Sequence, residues 1–135
     1  AAVLRIKLRH LDQYISNRQK AAAYYTNFFS DIDGVETPGL NEKSTHVYHQ
    51  YTLRAKGINQ FELQEFLKEK GVPAMIYYPM PLHVQKAYDT GNYKEEDFKN
   101  TNDLCKSVFS LPMHTELDEE QLEFICQSVK EFLTK

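Results

Sequence analysis

The first thirty residues carry a regular apolar stripe, and this stripe constrains the fold more than any other feature of the sequence. A helix over residues 1–30 is about 45 Å long, whereas a compact domain of 135 residues is about 36 Å across. The sequence therefore predicts a helix that extends beyond its own domain. The apolar residues of the stripe are spaced three or four positions apart, as in an amphipathic helix, except where Arg18 interrupts the pattern. They are Leu4, Leu8, Leu11, Ile15, Ala22, Tyr25 and Phe29.

The start of this helix has no capping signal. The chain opens with Ala-Ala-Val-Leu, already in helical phase, and no Ser, Thr, Asp or Asn is placed to bind the first free N–H groups. We therefore expect residues 1–30 to be a connecting helix that enters from another, larger domain. Residues 31–135 are then expected to form a small domain.

Composition indicates a globular chain and argues against several partners. Of the 135 residues, 41% are apolar and 26% are charged, and the net charge is −3. This charge offers no basic surface for nucleic acid or an anionic membrane. Because no apolar run approaches the roughly 20 residues of a membrane span and no signal peptide is recognisable, we expect a cytoplasmic protein. The two cysteines, Cys105 and Cys126, lie on apolar helix faces and are expected to be reduced core thiols.

The middle of the chain predicts a strand–helix–strand unit. Residues 46–54 alternate in the manner of a strand and place His49 inward beside Tyr51. The next helix is expected to begin at the cap Asn59 and to end before Gly71. A second strand is predicted over residues 73–78.

The second half adds a loop and two helices. Residues 81–94 are expected to form a long loop, followed by a helix over residues 95–108 and a short extended segment over residues 110–113. In the last helix Asp118 is the predicted cap and Gln121 completes the capping box. Together these elements predict an α+β domain of two layers, in which helices cover one face of a small sheet.

The best candidate for a functional site is the segment of residues 77–85. It places two tyrosines, the imidazole of His83 and rigid prolines just beyond a strand end. The alternative is that the prolines only stiffen a turn while both tyrosines complete the core. His46 and His114 lack the spacing of metal ligands, and no phosphate loop or nucleophile motif is present, so no metal site is predicted.

Four segments of the sequence carry a resemblance to a known family. They are RIKLRHLDQYISNRQKAAAYY, HVYHQYTLR, ELQEFLKEKGVPAMIYYPMPLHVQKAY and SLPMHTELDEEQLEFICQSVKEF. They contain the motifs H-x-x-H-Q-Y-T-x-R and Y-Y-P-x-P-L-H-x-Q, which in this order are much rarer than a single short motif. Together the segments, which cover nearly the whole chain, are similar to the C-terminal domain of the DegT/StrS-type nucleotide-sugar aminotransferases, which are pyridoxal-phosphate enzymes of fold type I.

The resemblance implies an activity and a division of roles between domains. A keto sugar on a nucleotide diphosphate receives an amino group, usually from glutamate, in a homodimer. The lysine that holds pyridoxal phosphate lies on the large domain, so the resemblance implies neither a catalytic nor a cofactor-binding residue in this chain. His83, Tyr78 and Gln85 match the loop that closes over the substrate, with His83 the first choice, whereas His49 and Gln50 match a mainly structural strand.

Three alternatives stay open at the level of the sequence. Some members of the family catalyse sugar dehydration with histidine in place of the lysine. The chain could instead be a regulatory or binding module without catalysis, although it lacks a helix-turn-helix signature and a basic face. The third alternative is a stand-alone enzyme that uses His83 and Tyr78.

Overall fold

A computed structural model describes residues 1–88 and 91–134 of the chain. Short 3₁₀ turns occupy Leu8–His10, Leu82–Val84, Lys86–Tyr88 and Glu95–Phe98. The other elements, in chain order, are α1 (Ala2–Lys7), α2 (Leu11–Phe29), β1 (Val35–Glu36), β2 (Tyr51–Ala55), α3 (Gln60–Glu69), α4 (Lys99–Cys105), β3 (Val108–Leu111) and α5 (Glu119–Leu133).

The three strands form an antiparallel sheet in the order β1-β2-β3. Tyr51 pairs with Leu111 and Leu53 pairs with Phe109, so these four side chains share one face of the sheet. All four are buried. The neighbouring pair on the other face is polar, and the hydroxyl oxygens of Thr52 and Ser110 lie 2.8 Å apart.

Helices α2, α3 and α5 complete the core. Their buried side chains recur at helical spacing, and α5 packs on both α2 and α3. The expected α+β architecture, with a small sheet and helices packed around one core, is confirmed. The fully buried helical side chains are Tyr25, Phe29, Leu63, Leu67, Cys126 and Val129.

The long N-terminal helix is present, and its first part is exposed. It runs from Ala2 to Phe29 with a 3₁₀ turn at Leu8–His10, and no side chain caps its start. Leu4 is 70% exposed and Leu8 is 68% exposed, beside an open groove of about 810 Å³. Within the described ranges, no helix has both the length and the hydropathy that crossing a membrane requires. The stripe is therefore buried only in the second half of α2.

The predicted strand over residues 46–54 is wrong in its first half. Tyr48 has a φ of +47°, in the left-handed region, which breaks the alternation of side chains. The carbonyl oxygens of His46 and Val47 accept hydrogen bonds from the side chains of Gln19 and Arg18 on α2 instead of pairing in the sheet. As a result Tyr48 is buried and His49 is exposed, the reverse of the predicted pattern.

Two further predictions need correction. The strand expected over residues 73–78 is reduced to a single bridge between Met75 and Ser110. The chain turns at Pro73, because the N–H of Ala74 donates to the carbonyl oxygen of Val72 at 2.9 Å. The helix expected over residues 95–108 begins as a 3₁₀ turn and ends at Cys105. Val108 belongs to β3, which starts two residues before the extended segment predicted over residues 110–113.

The predicted helix caps are confirmed. The side chain of Asn59 accepts hydrogen bonds from the N–H groups of Phe61 and Glu62 at the start of α3. Asp118 and Gln121 form the reciprocal capping box at the start of α5. These caps fix where two of the three core helices begin.

Candidate functional site

The candidate loop leaves the core at Tyr77. The segment before it is extended and alternates in burial, with Val72, Ala74 and Ile76 inside and Met75 bridged to β3. Pro79 and the two 3₁₀ turns then shape the loop through residue 88. The loop therefore lies at the end of a well-packed extended segment, as the sequence predicts.

Tyr77 and Tyr78 project from the surface, and the peptide bond between them is cis. Tyr77 is 38% exposed and Tyr78 is 72% exposed, and their rings contact edge to face at 5.8 Å between centroids. The alternative in which both tyrosines complete the core is therefore wrong. Tyr78 presents its ring and hydroxyl group outward, where a ligand can reach them.

The rest of the loop exposes an unusual number of apolar side chains. Met80, Leu82, Val84 and Tyr88 are each at least 45% exposed. A concentration of exposed apolar side chains on a globular protein indicates an interaction surface or a ligand-binding site. With the two tyrosines, these side chains form what we call the loop surface, defined as residues 77–88.

His83 is held between the loop and a later segment of the chain. Its ring stacks on that of Phe98, with centroids 4.6 Å apart and planes inclined by 25°. Its Nε2 atom has almost no accessible surface and no hydrogen-bond partner within the residues that the structure describes. A buried polar atom without a partner costs about 1–3 kcal/mol, so a hydrogen bond to this nitrogen would be stabilising.

Gln85 is tied to its own loop. Its side-chain amide donates to the carbonyl oxygen of Met80 at 3.4 Å, and its backbone carbonyl accepts from the N–H of Tyr88 at 2.8 Å. Gln85 therefore stabilises the loop conformation. No hydrogen bond or ring contact in residues 1–88 and 91–134 joins Tyr78 to His83, so the structure places the three predicted site residues in one loop without direct contact between these two.

Sequence reasoning missed two members of this cluster. They are Phe98 and Tyr93, whose rings contact edge to face at 5.6 Å. The aromatic spacing of residues 93 and 98 was visible in the sequence, but a contact with His83 depends on how two loops fold together. His49, predicted to be buried, instead lines a cleft of about 200 Å³ together with Tyr77.

None of the lysines that the structure describes lies in a site suited to pyridoxal phosphate. A lysine that forms a Schiff base needs a partly desolvated environment with a defined set of neighbours. All the described lysines are exposed except Lys70, which is half-buried, pairs with Glu131 at 2.8 Å and lies over the ring of Phe66. Lys135 lies outside the described residues. The described lysines therefore do not fit the Schiff-base role.

The cysteines and histidines also provide no reaction centre among the described residues. Both cysteines are free, and burial raises the pKa of the Cys126 thiol to about 12, which suppresses its thiolate. His46 and His114 each accept a backbone N–H bond two residues on, from Tyr48 and Glu116. No group of three His, Cys, Asp or Glu side chains suited to a metal ion occurs in the described part of the chain.

The chain is similar to sugar aminotransferases and to a protein named as a regulator. It is 42% identical over 134 residues to a pleiotropic regulatory protein of Geobacillus stearothermophilus, a match that covers 98% of this chain and 36% of that protein. It is 35% identical over 129 residues to the UDP-2-acetamido-2-deoxy-3-oxo-D-glucuronate aminotransferase of Pseudomonas aeruginosa, covering 96% of this chain and 34% of the relative. The chain thus spans about a third of the length of these curated relatives.

The fold is also similar to that of a solved relative. The crystal structure of DesV from S. venezuelae, in complex with a ketimine intermediate, superposes with a TM-score of 0.91 at 28% identity. That match covers 99% of this chain and 36% of the DesV chain. Residues 1–130 match the model of one family, which agrees with the resemblance noted in the sequence. The chain belongs to the DegT/DnrJ/EryC1/StrS aminotransferase family.

Proposed function

We propose that the chain acts as the small domain of a pyridoxal-phosphate-dependent nucleotide-sugar aminotransferase. In this proposal residues 1–30 connect it to a large domain that holds the cofactor, and residues 31–135 form the small domain. The proposal is supported by family membership and by the lysines, none of which has a cofactor environment among the described residues. The cytoplasm and a homodimer belong to the same proposal.

The exposed face of the N-terminal helix supports this arrangement. Leu4, Leu8 and Leu11 are poorly covered by this chain and line a groove with Tyr14 and Met113. Charged side chains, among them Arg5 and Glu116, also line it. An apolar surface of this kind is stabilised when another apolar surface covers it. We assign this groove to contact with the large domain.

The loop surface is assigned to the substrate. The relative from Pseudomonas aeruginosa is named for amino transfer to a nucleotide-linked oxo sugar. We propose a nucleotide-linked keto sugar as the substrate of this chain's protein, with glutamate as amino donor. The single observation that carries the assignment is the buried Nε2 of His83, which has no hydrogen-bond partner among residues 1–88 and 91–134 and belongs to an exposed, aromatic loop.

The chemistry of His83 fits this role. An imidazole can donate a hydrogen bond to a diphosphate, sugar or carboxylate oxygen, and it gains a positive charge when protonated. Because Nε2 is covered in this structure, neighbouring loop side chains must shift before a substrate oxygen meets it. Tyr78 adds an exposed hydroxyl group and ring, while Gln85 holds the loop in shape.

Steady-state kinetics test the assignment in the proposed full-length enzyme, in which this chain is joined to its large domain. A hydrogen bond to a charged oxygen contributes about 1.5–3 kcal/mol, so His83→Ala is expected to raise the KM for the nucleotide sugar about 10- to 100-fold. The matched control is His10→Ala, a change on the exposed helix that is expected to leave KM unaltered. A normal KM in His83→Ala would show that the loop does not bind the sugar.

A regulatory function is a second candidate, because the 42% identical relative carries the name of a regulatory protein. Duplex DNA binding, measured by fluorescence anisotropy over a range of salt concentrations, separates the two. The aminotransferase proposal predicts only weak binding without sequence preference, since the net charge is −3. Tight binding to a specific duplex would favour the regulator.

A further inference from the structure

The stack between Phe98 and His83 joins two parts of the chain that lie fifteen positions apart. The imidazole belongs to the 3₁₀ turn Leu82–Val84, and Phe98 ends the 3₁₀ turn Glu95–Phe98. The two ring planes are inclined by only 25°, and Tyr93 contacts the edge of Phe98 at 5.6 Å. Three rings therefore meet where the loop surface approaches α4.

Local hydrogen bonds tie the segment around Phe98 to α4. Phe98 lies directly before α4, and the side-chain amide of Asn102 on α4 donates to the carbonyl oxygen of Glu95 at 2.6 Å. The side chain of Asp97 accepts from the N–H of Lys94 at 2.9 Å, which closes the 3₁₀ turn. The backbone on both sides of Phe98 is thus held in place by local hydrogen bonds.

Helix α4 is in turn anchored to the sheet and to α3. Arg54 on β2 forms an ion pair with Asp103 of α4. The side-chain amide of Gln60, which is buried at the start of α3, donates to the carbonyl oxygen of Cys105 at 2.6 Å. A continuous set of contacts therefore runs from β2 through α4 to Phe98 and then to the imidazole.

We propose that Phe98 is a positioning residue for His83, an inference that rests on the proposed function. The Phe98 ring holds the imidazole plane, and so it sets the direction in which Nε2 meets an oxygen of the nucleotide-linked sugar. Phe98 does not touch the substrate in this role. Its contribution is to keep His83 in the orientation that binds.

The size of the effect follows from the ring contact. A stacked ring pair changes an equilibrium constant by a factor of about 2 to 12. Phe98→Leu is therefore expected to raise the KM for the nucleotide sugar by that factor, with kcat within about twofold of wild type, because the lost interaction orients a binding group. Phe98→Tyr retains the aromatic face and is expected to preserve KM.

The test is a double-mutant cycle in the proposed full-length enzyme. Phe98→Leu should raise KM in the wild-type background and have no further effect in His83→Ala, because its effect passes through the imidazole. Phe61→Leu is the matched control, since Phe61 is 56% exposed on α3, outside the loop surface. The same variants also report on the stack directly, because Phe98→Leu should shift the ¹H NMR resonances of the His83 ring while Phe61→Leu should not.

The outcomes separate this inference from the proposed function. If His83→Ala leaves KM unchanged, both fail. If His83→Ala raises KM but Phe98→Leu has no effect, acts equally in both backgrounds, or is matched by Phe98→Tyr, only the positioning role fails. Should Phe98→Leu not fold, Phe98→Met removes the aromatic face in its place, and an unchanged KM, or an equal rise in both backgrounds, would overturn the positioning role.

Discussion

The same substitution at two positions, Leu8→Ala and Leu63→Ala, tests whether the face of the N-terminal helix is uncovered in this chain. Leu8 is 68% exposed on the first part of the helix, whereas Leu63 on α3 is 0% exposed in the core. The two changes remove the same atoms from helical positions. Their difference therefore measures burial at each site.

The exposed fractions set the two magnitudes. Full burial of a leucine side chain contributes about 1.5–3 kcal/mol, so the covered third of Leu8 contributes about 0.5–1 kcal/mol. Because alanine has the higher helix propensity, Leu8→Ala is expected to lower the free energy of unfolding by no more than about 0.5 kcal/mol. Leu63→Ala leaves a cavity and is expected to lower it by about 2–5 kcal/mol.

Urea unfolding of the 135-residue chain, followed by far-ultraviolet circular dichroism, measures both changes. With a denaturant slope of about 2 kcal/mol/M, the midpoint should fall by about 1–2.5 M for Leu63→Ala and by less than about 0.3 M for Leu8→Ala. Equal shifts would refute the reasoning, since they would mean that Leu8 is buried in solution. In the proposed full-length enzyme the shift of the midpoint for Leu8→Ala should be larger, because the proposed large domain covers Leu8.

Three further predictions concern the core and the caps. Tyr25→Phe should lower the free energy of unfolding by about 1 kcal/mol in thermal melts, because the buried hydroxyl group donates to the carbonyl oxygen of Pro112 at 2.9 Å; an unchanged midpoint would contradict this bond. At pH 8 a thiol reagent should label Cys105 in the native chain and reach Cys126 only after unfolding, since burial raises the pKa of that thiol to about 12; rapid labelling of both native thiols would oppose it. Asn59→Ala should lower the free energy of unfolding by about 1 kcal/mol while Asn59→Ser retains most of it, and equal losses in the two variants would argue against the cap.

Local signals in the sequence predicted the helices well. The cap at Asn59, the box at Asp118 and Gln121 and the period of apolar residues depend on neighbours within four positions, so they could be recognised without the fold. The prediction of a strand over residues 46–54 failed because the first half of this segment is held by contacts with residues far away in the sequence. Arg18, which interrupts the stripe of α2, donates to the carbonyl oxygen of Val47.

The candidate site was predictable in part. The prolines and tyrosines of residues 77–85 marked a shaped, exposed loop, and the family resemblance directed attention to His83, Tyr78 and Gln85. The roles of these three residues as substrate contacts stay predictions. The stack of His83 on Phe98 could not be predicted, because it depends on the relative placement of two loops that no local period determines.

The central claim is that this chain supplies a substrate-binding loop and leaves the Schiff-base lysine to another part of the enzyme. Incubation of the 135-residue chain with pyridoxal phosphate, reduction with borohydride and peptide mapping test this claim most directly. Only scattered labelling well below one group per chain is expected, spread over the exposed lysines. Labelling of a single lysine at about one group per chain would contradict the claim.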